Sequence, residues 1–150
     1  MKNLDKVSDK EIEQEYRKRF FLKAGDRINK AEDAARNFAL LLSKEPGREC
    51  FAVLYLNNQN ASMKTEILFK GSLTTAAVYP REIIKTALKN HAAAIVCAHN
   101  HPSGNLNPSR DDVAVTEKIK MACKTVDIAL HDHLIITGNG WYSFADHGLI

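Results

Sequence analysis

At 150 residues the chain suits one compact domain, long enough to bury about 70% of the surface its unfolded form exposes. Its composition, 45% hydrophobic and 26% charged, is that of a soluble globular protein, and no apolar run approaches the ~20 residues of a membrane span. The net charge of +3, from 21 Lys and Arg against 18 Asp and Glu, falls short of the strongly basic balance that makes nucleic-acid binding a default suspicion, and charge alone decides nothing.

The N-terminus, MKNLDKVSDKEIEQEYRKRF, lacks the apolar stretch and small-residue cleavage site of a secretory signal, so a cytoplasmic protein is expected. Residues 1–28 form a charged helical segment, with a helix predicted from about Ser8 to Lys23 and ended by Ala24-Gly25-Asp26. The basic cluster Arg17, Lys18, Arg19 and Lys23 flanks Phe20 and Phe21. It reads either as a nucleic-acid contact or as a solvated helix face with two core-facing aromatics, and the pattern favours the second.

Residues 29–150 carry the main domain. From Asn29 as N-cap, Ala31, Ala34, Ala35, Phe38, Leu41 and Leu42 follow the i, i+3, i+4, i+7 rule of an amphipathic helix, which Pro46-Gly47 terminates. The run CFAVLYL, Cys50 to Leu56, is short and wholly apolar, as a strand covered on both faces would be. Asn57-Asn58-Gln59-Asn60 then turns into a second strand, about Ser62 to Phe69, to give a hairpin. Pro80 opens a helix running to about Asn90, with Glu82 near its positive end.

AAAIVCA, Ala92 to Ala98, is another buried strand, and it delivers the chain to His99. A helix from about Arg110 to Lys124 follows, with Val113, Val115, Ile119 and Ala122 as its apolar positions. IALHDHLIITGNGWYSF reads as strands folded over Gly138-Asn139-Gly140. The fold class is therefore α/β, a mixed β-sheet flanked by helices. Cys50, Cys97 and Cys123 are odd in number, lack CxxC spacing and sit in apolar or helix-like stretches, as buried thiols do.

The chemistry concentrates in AHNHPSGNLNPSRDD, residues 98–112. Side chains at i and i+2 of an extended segment point the same way, so His99 and His101 present two imidazoles to one point, while Asn100 points away and takes no chemical role. Asp112, eleven residues beyond His101, falls in the first turn of the next helix, where the Pro/Gly-rich connection can fold back. Two imidazoles and a carboxylate suit a divalent ion such as zinc, with the fourth tetrahedral position left for water. The competing reading is a polar loop in which Ser109 and Asp112 form a capping box. Capping does not explain two histidines leaving an apolar strand, and the metal site is favoured. The second HxH, His131-Asp132-His133, is an internal control: eleven residues beyond His133 stands Phe144, which ligates nothing.

His99, His101, Pro102, Ser109 and Asp112 fall without a gap on the HxHP, Ser, Asp pattern of the JAMM (MPN-plus, JAB) metalloproteases. AHNHPSG, YPREI, LYLNNQN, DHLIITG and YSFADHG resemble its RadC-like JAB branch over about Asn29 to Ile150. The resemblance implies a JAB/MPN, cytidine-deaminase-like architecture and Zn2+ held by His99, His101 and Asp112. It also implies a glutamate just ahead of the first core strand as proton shuttle, a position Glu49 matches, and a Ser109 hydroxyl that steadies an oxyanion. From the residues alone Glu49 reads as an exposed charge flanking a strand, with Glu45, Glu66 and Glu82 as rival carboxylates. Glu82 is explained by the helix dipole and Glu66 by the solvent face of the hairpin. Asp132 and His133 also recur in the branch, and a structural hydrogen bond near the site is expected of them.

Three departures bound the resemblance. FAVLYLNN lacks the glycine-leucine-leucine-glycine run of the deubiquitinating branch, only a short charged segment stands where helix-hairpin-helix modules often precede the domain, and Tyr79 replaces the usual His before PREI. The leading expectation is a zinc-dependent hydrolase of peptide or isopeptide bonds with a peptide or protein substrate and no membrane partner. The alternatives are a DNA-repair or mobile-element accessory protein that binds nucleic acid or a protein partner without hydrolysis, and an inactive scaffold that keeps zinc for stability. The oligomeric state has no signature in the sequence.

Overall fold

Caps and periodicity set the elements. A computed structural model describes residues 6–72 and 77–150. Among them are helices α1 (Asp9–Phe20), α2 (Ala31–Leu42), α3 (Pro80–Lys89) and α4 (Arg110–Thr125). The strands are β1 (Cys50–Leu56), β2 (Ser62–Lys70), β3 (Ala94–Asn100), β4 (Ala129–Thr137) and β5 (Gly140–Ser143). They form one mixed sheet in the order β2-β1-β3-β4-β5. Only β3 and β4 pair in parallel, with α4 as the crossover such pairing requires; the other neighbours are antiparallel.

Every residue of β1 and β3 is buried, which accounts for their unbroken apolar runs. Alternate side chains then divide between two layers. Phe51, Val53, Tyr55, Ile95 and Cys97 pack against Ile83 and Ala87 of α3 and Val115, Ile119 and Cys123 of α4. Ala52, Leu54, Leu56, Val96 and Ala98 pack against Ala34, Ala35, Phe38 and Leu42 of α2. His99 continues the first row and Asn100 the second. No helix among the described residues is long and apolar enough to cross a membrane.

The structure shifts several boundaries for local reasons. β3 runs Ala94–Asn100 rather than Ala92–Ala98: Ala92 N–H still bonds Ala87 O of α3 (2.9 Å), while His99 pairs with both Phe51 and Ile135. α1 stops at Phe20 because Phe21 is extended (φ −75°, ψ 126°) and Leu22 N–H is captured by Asn37 Oδ1 at 3.1 Å. No residue of α1 is buried; Phe20 and Phe21 are half-buried beneath the Arg36 and Arg17 guanidiniums. The N-cap of α2 is Lys30, not Asn29, since the Asp33 carboxylate accepts from both of their N–H groups. On α4 the buried stripe is Asp112, Val115, Thr116, Ile119 and Cys123, whereas Val113 is exposed.

Candidate metal centre

The strand and the helix each deliver donors through their own backbone logic. His99 is the penultimate residue of β3 and His101 lies just beyond its end, with its N–H bonded to Ile136 O at 3.1 Å. Gly104, at φ 81°, bonds His101 O through its N–H, and a Cβ there would come within 3.3 Å of Asn139 Nδ2, so this turn requires glycine. The returning chain enters α4 through a full capping box: Ser109 Oγ accepts from Asp112 N–H at 3.0 Å and Asp112 Oδ2 accepts from Ser109 N–H at 2.7 Å. The capping box and the metal site, weighed as rivals in the sequence, share Asp112.

His99 Nε2 lies 3.0 Å from His101 Nε2 and 3.2 Å from Asp112 Oδ1, and His101 Nε2 lies 3.2 Å from Asp112 Oδ2. Donor atoms bonded to zinc at 2.0–2.1 Å in a tetrahedron stand roughly 3.3 Å apart; each imidazole meets its own Asp112 oxygen near that spacing, and one ligand atom from each of the three residues lies within 4.8 Å of the others, so the group could hold a metal ion. His99 and Asp112 are 1% and 4% exposed, and His101 is half-buried. The Nδ1 of His101 faces the carbonyl of Asn105 at 2.6 Å; a carbonyl only accepts, so Nδ1 carries the proton and Nε2 is the nitrogen that could ligate an ion.

Electrostatics fit a cation as well. Burial opposes ionisation of Asp112, but the two histidines and the Ser109 N–H outweigh it and hold its pKa well below the ordinary carboxylate value. The Asp112 carboxylate in turn raises the pKa of His101 against its burial, with smaller help from the Asn105 carbonyl and the charge of Glu49.

Glu49, half-buried, lines a cleft of about 300 Å³ together with His101, Ser109 and Asp112. The rival carboxylates are engaged elsewhere: Glu45 pairs with Lys70 at 2.8 Å, Glu82 lies in the first turn of α3 beside Arg81, and Glu66 pairs with Lys64. Glu66 does not simply face solvent, because it also accepts from the buried Tyr55 hydroxyl at 3.2 Å. Tyr79 is the exposed N-cap residue of α3 and holds Arg81 over its ring. A larger apolar cleft, about 600 Å³, borders the other side of the loop and shares only His101 with the candidate centre.

Two residues escaped the sequence reading. Asn100 accepts from Cys50 N–H and donates to Arg48 O, both at 2.7 Å, so its amide brackets the backbone of Glu49. Thr116 sits one turn after Asp112 on the buried stripe of α4; the 3.6-residue period through Asp112 was the signal that would have found it. His133 takes the expected hydrogen bond, with its Nε2 at 2.8 Å from His99 Nδ1. Asp132 is structural: it accepts from Ser143 Oγ and from the N–H groups of His133 and Ala145, pinning β5 and the turn after it. A bulge steps the β4 register from Leu130 to Asp132, and His131 bonds Asn60 instead of joining His133.

A mixed α/β sheet that ends in two imidazoles, completed by the carboxylate of the following helix, defines a domain with a donor set for one divalent metal ion. The chain belongs to the RadC-like JAB domain family, whose model matches residues 28–149. It is 50% identical over 117 residues to the UPF0758 protein YeeS of Escherichia coli strain K12, covering 78% of this chain and 79% of that one. It is 47% identical over 117 residues to YfjY of the same strain, covering 78% and 73%. With the UPF0758 protein PSHAa2643 of Pseudoalteromonas translucida strain TAC 125 it shares 46% over 125 residues, 83% of this chain. That stretch is 56% of the Pseudoalteromonas protein, so the chain spans little more than half the length of this relative.

Proposed function

We propose that this chain is a zinc-dependent hydrolase of amide bonds, peptide or isopeptide, that uses water as nucleophile. The observation that carries the reading is the convergence of His99, His101 and Asp112, whose ligand atoms, one from each, lie within 4.8 Å of one another, beside a cleft that Glu49 also lines. Three protein donors are the count of catalytic rather than structural zinc sites. A zinc ion held there supplies Lewis acidity and lowers the pKa of water to about 7.

The remaining work falls to the chain. Glu49 accepts the proton of the attacking water and returns it to the leaving amine. Ser109 Oγ spends a lone pair on Asp112 N–H, which leaves its own proton for the oxyanion of the substrate carbonyl. Asp112 keeps a negative charge in the cluster, and the Asn105 carbonyl holds the His101 ring in place.

The alternative of nucleic-acid binding rests on the basic residues of α1. There Arg17 pairs with Glu13 at 3.5 Å and Arg19 with Glu15 at 2.5 Å, so much of that charge is balanced within the helix. Binding whose affinity collapses with added salt is the signature this alternative requires.

The test combines metal analysis by mass spectrometry with turnover of quenched peptide and isopeptide substrates. Wild type is expected to retain one zinc after supplementation and His99→Ala to lose it. Glu49→Gln is expected to keep the metal and lose turnover by about 10²-fold or more. Wild type without stoichiometric metal, or a Glu49→Gln protein with full turnover, would overturn the assignment.

A further inference from the structure

We propose that Thr116 and His133 are positioning residues that decide, through a chain of hydrogen bonds, which nitrogen of His99 is left for the metal. This rests on the metal-centre reading and adds two residues outside the ligand set. A neutral imidazole carries one proton, and only its bare nitrogen can bind a cation. His101 has its tautomer set by a backbone carbonyl; His99 has no such partner and faces another histidine instead.

The assignment starts from Thr116, which is 1% exposed. Its single hydroxyl proton goes to Asp112 O, 2.7 Å away, so toward His133 Nδ1, at 2.6 Å, the same oxygen acts as acceptor. His133 therefore carries its proton on Nδ1. Its ring is 1% exposed, stacked on Phe144 at 4.8 Å and met by the edge of Phe51 at 5.5 Å. Among these apolar rings an unpaired charge is costly, so the neutral ring is favoured. The Nε2 of His133 is then bare and accepts from His99 Nδ1–H at 2.8 Å. What remains on His99 is Nε2, the atom that faces Asp112 and His101.

The chain begins at the backbone of one ligand, Asp112 on α4, crosses to β4 at His133 and ends on a second ligand, His99 on β3. Three elements are thereby locked around one donor atom. The more common partner behind a ligating histidine is a carboxylate or a carbonyl. A neutral histidine in that place orients the ring without adding a second negative charge behind it.

The experiment compares zinc affinity, by competition with a chelating dye, in wild type, Thr116→Val, His133→Leu and His133→Gln, together with 15N spectra of the imidazoles in the zinc-loaded wild type. Thr116→Val is nearly isosteric and preserves packing; thermal unfolding of each metal-free protein reports the fold separately. Thr116→Val and His133→Leu are expected to bind zinc about 10- to 100-fold more weakly. His133→Gln, whose side-chain carbonyl can accept from His99 Nδ1–H, is expected to recover part of the loss. The spectra are expected to show protons on Nδ1 of both His99 and His133. Wild-type affinity in folded Thr116→Val and His133→Leu, or a proton on Nε2 of His133, would overturn this inference alone. Failure of wild type to bind zinc would overturn the metal-centre reading and this inference with it.

Discussion

Asn100 shows how one side chain joins two parts of a site that lie fifty residues apart. Strand alternation sends it to the face opposite His99 and His101, as its position predicts, and there its amide meets the backbone on either side of Glu49. The amide satisfies both contacts at once, since Arg48 O needs a donor and Cys50 N–H an acceptor. Asn100→Asp keeps the shape but sets a carboxylate oxygen against Arg48 O. The loss of one buried hydrogen bond and the repulsion are expected to cost roughly 1–3 kcal/mol in urea unfolding. Misplacing the Glu49 carboxylate by about 1 Å is expected to lower turnover on the order of 10²-fold while zinc content stays at the wild-type level. A folded Asn100→Asp protein with unchanged turnover would show that the bracket does not position Glu49. The face Asn100 occupies was legible from a two-residue period; what it would touch was not, because Arg48 and Cys50 reach it through strand pairing that no local pattern encodes.

At the scale of the element, α4 carries a capping signal, a buried stripe and a candidate metal donor in one stretch of sequence. Its start was readable from Ser109 and Asp112, and its end within a residue. Of the apolar residues the sequence offers on this helix, Val113 is exposed; the stripe that faces the sheet is 112, 115, 116, 119 and 123, and two of its five members are polar. Those polar members, Asp112 and Thr116, serve the candidate centre, and a buried polar residue on a helical stripe is the pattern to look for. The proposed function gives Ser109 two separable roles in this element, the observed helix cap and the proposed oxyanion donor. Ser109→Ala removes both the cap and the hydroxyl donor, and is expected to lose about 1 kcal/mol of stability along with most turnover. Ser109→Asp restores a good N-cap, yet an ionised carboxylate has no proton to give an oxyanion. Its stability is therefore expected near wild type and its turnover to stay low. Turnover that returned with stability in Ser109→Asp would reduce Ser109 to a helix cap.

Across the whole molecule, the two-layer packing followed from the apolar runs of β1 and β3, while the strand order did not, since periodicity says which face is buried and not which strand lies alongside. The attachment of α1 was equally hidden. Its contact with the core side runs through Tyr16 O–H on Arg36 O and Leu22 N–H on Asn37 Oδ1, neither of which leaves an apolar period in the sequence. The cysteines, read as buried thiols, do lie inside the two layers: Cys97 and Cys123 between the sheet and α4, Cys50 between the sheet and α2. That placement makes them reporters of global unfolding. Burial pushes the Cys123 thiol up from 9.0 to about 11 and that of Cys97 well above its ordinary value. At pH 8 the Cys123 and Cys97 thiols therefore stay protonated and shielded from solvent. Native protein is therefore expected to resist a disulfide reagent such as 5,5′-dithiobis(2-nitrobenzoate), and all three thiols to react in step with the urea unfolding transition. Because the folded chain holds the Cys123 proton that the unfolded chain releases, stability is expected to fall as pH rises from 9.0 toward about 11. Rapid labelling of all three thiols in native buffer at pH 8 would mean that the layers open without unfolding, and that the sheet does not seal its core as this packing requires.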